Sequence, residues 1–342
     1  MPVEQRLALI KQIEKERESR VVAYLTGDRQ PGLETRIGMD VFPCFYDVLN
    51  RIGKQKQIDL LIYSTGGATM AAWGLVNLLR EFCDKLCLLV PYKAHSSATL
   101  IALGADEIVM GRMGQLSPVD PTVTSPFNPT LPVQGAPGTP QQFLPLSVED
   151  VVAFLDLTRE EAKLQEETSI AEVVKALASD VRPIALGSVY RAKKQISMLA
   201  KNLLRIHMGE EEQAKIEKIV ATLTRELYSH DYLVGRKEAK RLIGLKVAEC
   251  SDDFEKTMMG LYSDYAESLE LNRPYNQDIV LGNQTTRVVE LDRAFIETME
   301  RTYVFRTKRE VKRFRSTQQG VPIEGFQEKT LQEGWQLENR KA

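Results

Sequence analysis

Two short stretches carry residues able to do acyl-transfer chemistry. In the first, the apolar run Ile58-Asp59-Leu60-Leu61-Ile62-Tyr63 leads into Ser64-Thr65-Gly66-Gly67-Ala68. In the second, Leu86-Cys87-Leu88-Leu89-Val90-Pro91 leads into Tyr92-Lys93-Ala94-His95-Ser96-Ser97-Ala98-Thr99. Paired glycines at a strand-to-helix junction let the backbone turn sharply and present N–H groups that the helix itself cannot satisfy. Such donors form an oxyanion hole, and Gly67 is the first of them. A serine opening the second helix, followed by small Ser97 and Ala98, leaves room for an acyl group, and the Ser97 N–H points at the same oxygen. Ser96 is therefore the candidate nucleophile. Taken separately, the glycines read as a tight turn or a phosphate cradle and the serine as an N-cap. Their occurrence one crossing apart favours the chemical reading.

The surrounding pattern supplies a scaffold for these two turns. A strand over 21–26, a helix over 39–52, a strand over 58–63, a helix over 69–82, a strand over 87–90, a helix over 97–104 and a strand over 107–110 alternate as β-α-β-α-β units. That alternation predicts an α/β fold with a mostly parallel sheet and flanking helices. Ligands of such sheets sit outside the carboxyl ends of the strands, where both turns fall. Eight of the 15 prolines lie between Pro118 and Pro145, and no charged residue occurs between Pro121 and Val148. This insertion over 118–147 reads as a lid, an intersubunit loop or a passive surface excursion. Helices are expected from Ser147 to about Glu167, from Val189 to Ile206 and from Glu210 to Tyr228, the last two with core-type apolar stripes. The basic run after Asp292 reads as a solvated helix face or an oligomer contact, and the polar residues beyond Ser316 as a mobile arm whose Phe326 and Trp335 dock on a neighbour.

Composition excludes several function classes. A net charge of −2 gives no drive toward nucleic acid or anionic lipid. The four cysteines form no C-x-x-C pair, which suits a reducing compartment and a cytoplasmic location. No uninterrupted apolar run has signal-peptide or membrane-spanning character, so no integral membrane segment is expected. Three scattered histidines offer no metal site, and no P-loop occurs, so neither a metal nor another cofactor is expected.

At the two turns the chain resembles the Clp-type and signal-peptide-peptidase-type serine proteases, which share a fold with crotonases. Ser64-Thr65-Gly66-Gly67 resembles their S-x-G-G turn, and Ala94 to Leu100 their small-x-Ser-x-Gly/Ala nucleophile turn. Gly104-Ala105-Asp106-Glu107-Ile108-Val109-Met110 resembles the strand that follows. Asp231 to Leu245 resembles the closing segment of the fold, with an acidic residue before an E-A-x-x-x-G-L-like turn. Within this group the runs are most like those of the serine dehydrogenase proteinase branch, and the resemblance covers roughly residues 5–255. It implies a Clp/crotonase-like fold, a serine endopeptidase acting on a peptide or protein substrate, and a homo-oligomer. A catalytic domain over 1–255, a helical extension over 256–315 and a polar tail over 316–342 follow as the expected organisation. Crotonase-like acyl-thioester chemistry and a catalytically silent scaffold are the alternatives.

The resemblance breaks at the general base. Clp-type proteases place a histidine in a stretch matching Leu116-Ser117-Pro118-Val119-Asp120-Pro121, which has none. Signal-peptide-peptidase relatives use a lysine at the position of Ala185. His230 is one substitute, with Asp231 or Asp120 to hold its tautomer. Lys193 is the other, because it borders the buried face of its helix, where a lysine can be desolvated and act as a neutral base.

Overall fold

The computed structural model describes residues 3–119, 122–130, 143–227, 229, 231–318 and 321–338. In chain order the elements are α1 (Val3–Arg17), β1 (Arg20–Thr26), α2 (Phe42–Ile52), β2 (Gln55–Tyr63), α3 (Thr69–Glu81), β3 (Cys83–Val90), β4 (Lys93–Ala94), α4 (Ser97–Leu103), β5 (Glu107–Met110) and β6 (Gln115–Leu116). They continue with β7 (Thr122–Val123), β8 (Leu146–Ser147), α5 (Val148–Asp156), α6 (Glu167–Asp180), α7 (Pro183–Leu204), α8 (Gln213–Ala221), β9 (Val234–Gly235) and α9 (Arg236–Glu238). Last come β10 (Val247–Ala248), α10 (Asp252–Ser268), α11 (Gln277–Leu281), β11 (Thr286–Glu297), β12 (Thr302–Gln318) and β13 (Val321–Leu337). The chain divides into two compact units, one of residues 1–116 with 233–342 and the other of residues 117–232.

The first unit is a mixed α/β structure around one large sheet, ordered β10-β5-β3-β2-β1-β11-β12-β13. The strands from β10 to β1 run parallel, whereas β11, β12 and β13 join antiparallel at the β1 edge. The parallel strands are apolar on both faces, as a covered sheet requires: Leu60, Leu61, Ile62, Leu88, Leu89 and Val90 are fully buried. On one face α1 and α10 pack together, with Ile10, Ile13, Met258, Leu261 and Tyr265 against Leu25, Leu61 and Leu89. Burial of each such side chain stabilises the fold by roughly 1.5–3 kcal/mol. A buried ionic group closes this layer, because Arg6 binds Asp264 at 2.8 Å and Glu297 at 2.7 Å. Leaving either carboxylate unpaired there would cost several kcal/mol, on the order of 3–5.

The carboxyl half of this unit differs from the expected helical extension and polar tail. Residues 286–297, 302–318 and 321–337 are long strands, and several cations of the basic run sit in cross-strand ion pairs. Arg306 pairs with Asp292 at 2.6 Å, Arg309 with Glu328 at 2.6 Å and Lys308 with Glu290 at 3.2 Å. These pairs neutralise the charge within the ribbon. Trp335 packs on Phe305 of its own chain, and its indole N–H donates to Asp40 at 2.8 Å. Arg313 lies over the Phe326 ring.

The second unit is helical. Ser147 caps α5 by accepting from the Asp150 N–H at 3.1 Å, as the sequence predicts. The helix expected to continue to Glu167 runs on past α5 only as a π-helical turn, Leu157–Glu161, and Lys163 adopts a left-handed φ of 54° before α6 begins. Pro183 opens α7 six residues earlier than the apolar stripe suggests, a position that proline favours because its missing N–H has no acceptor there. Val189, Ile196, Leu199 and Leu203 of α7 and Ile216 and Val220 of α8 are buried, as their spacing predicts. Within the proline-rich segment, β7 pairs antiparallel with β8, and the buried Asn128 amide donates to the Val123 and Leu144 carbonyls. Residues 131–142 lie outside the described residues.

Candidate active site

The parallel sheet brings the two turns together at the carboxyl ends of β2 and β3. Ser64, the first residue past β2, bridges Ala94 of β4: its N–H donates to the Lys93 carbonyl at 2.9 Å and its carbonyl accepts from the His95 N–H at 3.0 Å. This clamp fixes the start of the glycine turn against the residue preceding Ser96. The contact is close, since a Cβ built on Gly66 would lie 2.7 Å from the Ser96 Cβ and 3.2 Å from its hydroxyl. Only glycine fits beside Ser96, and its φ of 108° is a second reason for glycine there.

Ser96 itself has φ 52° and ψ −115°, in a region that non-glycine residues rarely enter. It sits between β4 and the first residue of α4, so the strain falls at a sharp strand-to-helix turn. Strain of this kind costs on the order of 1–3 kcal/mol and persists only where the surroundings enforce it. Here the enforcing contacts are the Ser64 clamp and the Thr99 hydroxyl, which donates to the Ala94 carbonyl at 2.8 Å. The geometry matches a nucleophile elbow, which lifts a serine hydroxyl clear of its own backbone. Ser97 follows as the first residue of α4, where a backbone N–H has no intrahelical acceptor. Its side chain is buried, and its hydroxyl meets no hydrogen-bond partner among the described residues.

Gly67 is held from the other side. It forms a parallel bridge with Ile37, in which the Ile37 N–H donates to the Gly66 carbonyl at 2.8 Å and the Ala68 N–H donates to the Ile37 carbonyl at 2.8 Å. Gly67 has φ 153°, and a Cβ there would enter the Ile37 backbone. Two residues absent from the sequence reading also belong to this turn. Ile37 supplies the bridge, and Thr26, the last residue of β1, donates to the Ser64 hydroxyl at 2.8 Å. Neither carries a local signal, because each acts only once the β1–β2 register, with Leu25 opposite Tyr63, places it there.

Ser96, Ser97 and Gly67 thus share the first unit. Of the candidate base residues, Lys193 and Asp231 belong to the second. Lys193 lies half-buried on α7 and lines a groove of about 790 Å³ between the helices of that unit. Asp231 is exposed, whereas His230 and Asp120 lie outside the described residues. Ala185, at the position where the resemblance expects lysine, is buried in α7. Burial lifts the Cys44 and Cys87 thiols to about 12 and Cys83 to about 11, and also raises Cys250. All four thiols therefore stay protonated near neutral pH, which disfavours them as nucleophiles relative to Ser96. Among the described residues no cluster of His, Cys, Asp and Glu could hold a metal ion, and no helix is long and apolar enough to cross a membrane.

Residues 2–133, which include both turns, match the family described as ClpP-like SDH-type serine proteinase, the family that the motifs resemble. Two uncharacterized proteins of Methanocaldococcus jannaschii are similar over most of the chain. One is 28% identical over 266 residues, covering 75% of this chain and 78% of the relative. The other is 27% identical over 250 residues, covering 71% of each.

Proposed function

We propose that the protein is a cytoplasmic serine peptidase that cleaves peptide bonds through an acyl-enzyme on Ser96. The family match supports a serine peptidase at the level of the family. The observation that carries the assignment of Ser96 is its strained backbone, φ 52° and ψ −115°, packed directly against Gly66. Strain at a single serine, held by a clamp on both sides, has a chemical use and no packing use.

In this mechanism the Ser96 hydroxyl attacks the scissile carbonyl as a base removes its proton. The carbonyl oxygen becomes an oxyanion received by the Gly67 and Ser97 N–H groups. Such donors are worth roughly 10²–10³ in rate each, because they are already oriented when charge develops. Collapse returns the proton to the leaving amine, and water then releases the acyl group by the same route. The base is assigned to His230, oriented by Asp231, with Lys193 as the competing assignment.

Replacement of Ser96 by alanine tests this reading. Ser96→Ala abolishes turnover of a denatured protein such as casein and leaves the melting temperature within a few degrees. Ser97→Ala retains turnover, because only its N–H takes part and its buried hydroxyl has no partner among the described residues to lose. Loss of activity in Ser97→Ala with retention in Ser96→Ala would reverse the assignment.

A further inference from the structure

The Gly66–Gly67 turn is held by more than its own glycines. Gly66 is fixed at both polar atoms: its N–H donates to the Ser64 hydroxyl at 3.0 Å, and its carbonyl accepts from the Ile37 N–H at 2.8 Å. A peptide unit is planar and trans, so its C=O and the following N–H point in opposite directions. With the Gly66 carbonyl aimed at Ile37, the Gly67 N–H is aimed away from it. The bridge through the Ala68 N–H and the Ile37 carbonyl fixes the other side of Gly67 in the same sense. Orientation of the Gly67 donor therefore depends on where the Ser64 hydroxyl holds Gly66.

The Ser64 hydroxyl is in turn set by Thr26. Ser64 is fully buried and Thr26 is 1% exposed, so bulk water does not compete for the 2.8 Å bond in which the Thr26 hydroxyl donates to the Ser64 oxygen. Having received that proton donor and the Gly66 N–H, the Ser64 oxygen directs its own hydrogen toward the Gly66 carbonyl, 3.4 Å away. A buried hydroxyl chain of this kind selects one rotamer at each member, since every alternative leaves a polar atom unsatisfied.

We infer that Thr26 is a positioning residue for the reaction, acting through the Ser64 hydroxyl to orient the Gly67 N–H toward the developing oxyanion. The inference rests on the assignment of Ser96 as nucleophile and Gly67 as oxyanion donor. It gives β1 a function besides its place in the sheet: the residue at its carboxyl end tunes a donor that lies one strand away.

The test uses the full chain and an alkyl fluorophosphonate, which needs no knowledge of the natural substrate. The Ser96 oxygen forms a bond to phosphorus, fluoride leaves, the hydroxyl proton passes to the base, and the phosphoryl oxygen occupies the oxyanion hole. Thr26→Val keeps the shape and removes the hydroxyl, so its labelling rate at Ser96 falls about ten-fold. Thr26→Ser restores the donor and stays within about three-fold of wild type. Ser64→Ala, which removes the acceptor of the Gly66 N–H, falls about 100-fold. With a casein-derived peptide, kcat falls in the same order and KM changes less than two-fold.

A merely structural Thr26 would instead lower the melting temperature of Thr26→Val and leave the labelling rate per folded molecule unchanged. That result, or an equal loss in Thr26→Ser and Thr26→Val, overturns the inference while leaving Ser96 as the nucleophile. Wild-type protein that takes no label at Ser96 overturns the nucleophile assignment itself, and the role of Thr26 falls with it.

Discussion

Gly66→Ala is the most severe test of the packing at the nucleophile. The added methyl would sit 2.7 Å from the Ser96 Cβ and 3.1 Å from the His95 carbonyl oxygen. Carbon atoms prefer about 3.5–4.0 Å, so one of the two must yield by roughly 1 Å. The Ser64 clamp prevents retreat on the glycine side, and α4, whose residues are all buried, blocks retreat on the other. The φ of 108° at Gly66 adds backbone strain that alanine does not tolerate. Left-handed strain of about 1–3 kcal/mol and overpacking of about 1–3 kcal/mol together destabilise the fold by about 2–6 kcal/mol. Displacement of a reacting atom by about 1 Å costs about 100-fold in rate. The assay is calorimetry alongside fluorophosphonate labelling, with the rate expressed per folded molecule. The reasoning predicts a lower melting temperature and a labelling rate reduced about 100-fold. A Gly66→Ala protein that melts and labels as wild type would refute the close approach of Gly66 to Ser96.

His230→Ala costs at least 100-fold more turnover than Lys193→Met if histidine is the base, as kcat measured on the two variants shows. The opposite ranking assigns the base to Lys193. A homo-oligomer is the expected state, since Ile184, Tyr190 and Met198 on α7 are each more than half accessible in the single chain. Light scattering at micromolar concentration checks this, and a mass near 38.6 kDa contradicts it. Alkali destabilises the fold, because burial raises the Cys44, Cys83 and Cys87 thiols from 9.0 to about 12, 11 and 12. Groups with raised folded values stabilise fully below the unfolded value, so stability is lost as pH climbs from about 9 toward 11. The loss is about 1.4 kcal/mol per pH unit for each thiol. Chemical denaturation at pH 8 and pH 10 measures it, and an unchanged slope in the triple alanine variant of these cysteines contradicts it.

The legible parts of the fold are those where local pattern and tertiary role coincide. β2 and β3 are apolar on both faces because helices cover them, so their runs stand out in the sequence. The turns after them carry Gly66, Gly67 and Ser96, whose residue types are dictated by backbone geometry. β12 was illegible for the opposite reason. Its Arg306, Lys308 and Arg309 read as a solvated helix face, but their partners Asp292, Glu290 and Glu328 lie on neighbouring strands. The charges make sense only once the ribbon is formed. The same applies to Thr26, an unremarkable strand residue until the register of β1 on β2 sets it beside Ser64. The break before α6 was hidden because its left-handed residue is Lys163 rather than a glycine.

The central claim is that Ser96 is the activated nucleophile, and one measurement addresses it directly. Wild-type protein is incubated with an alkyl fluorophosphonate, digested, and the adduct located by tandem mass spectrometry, with Ser96→Ala and Ser97→Ala in parallel. The account predicts one adduct per chain, on Ser96, absent from Ser96→Ala and present in Ser97→Ala. An adduct on another residue, or none on folded wild-type protein, would contradict it.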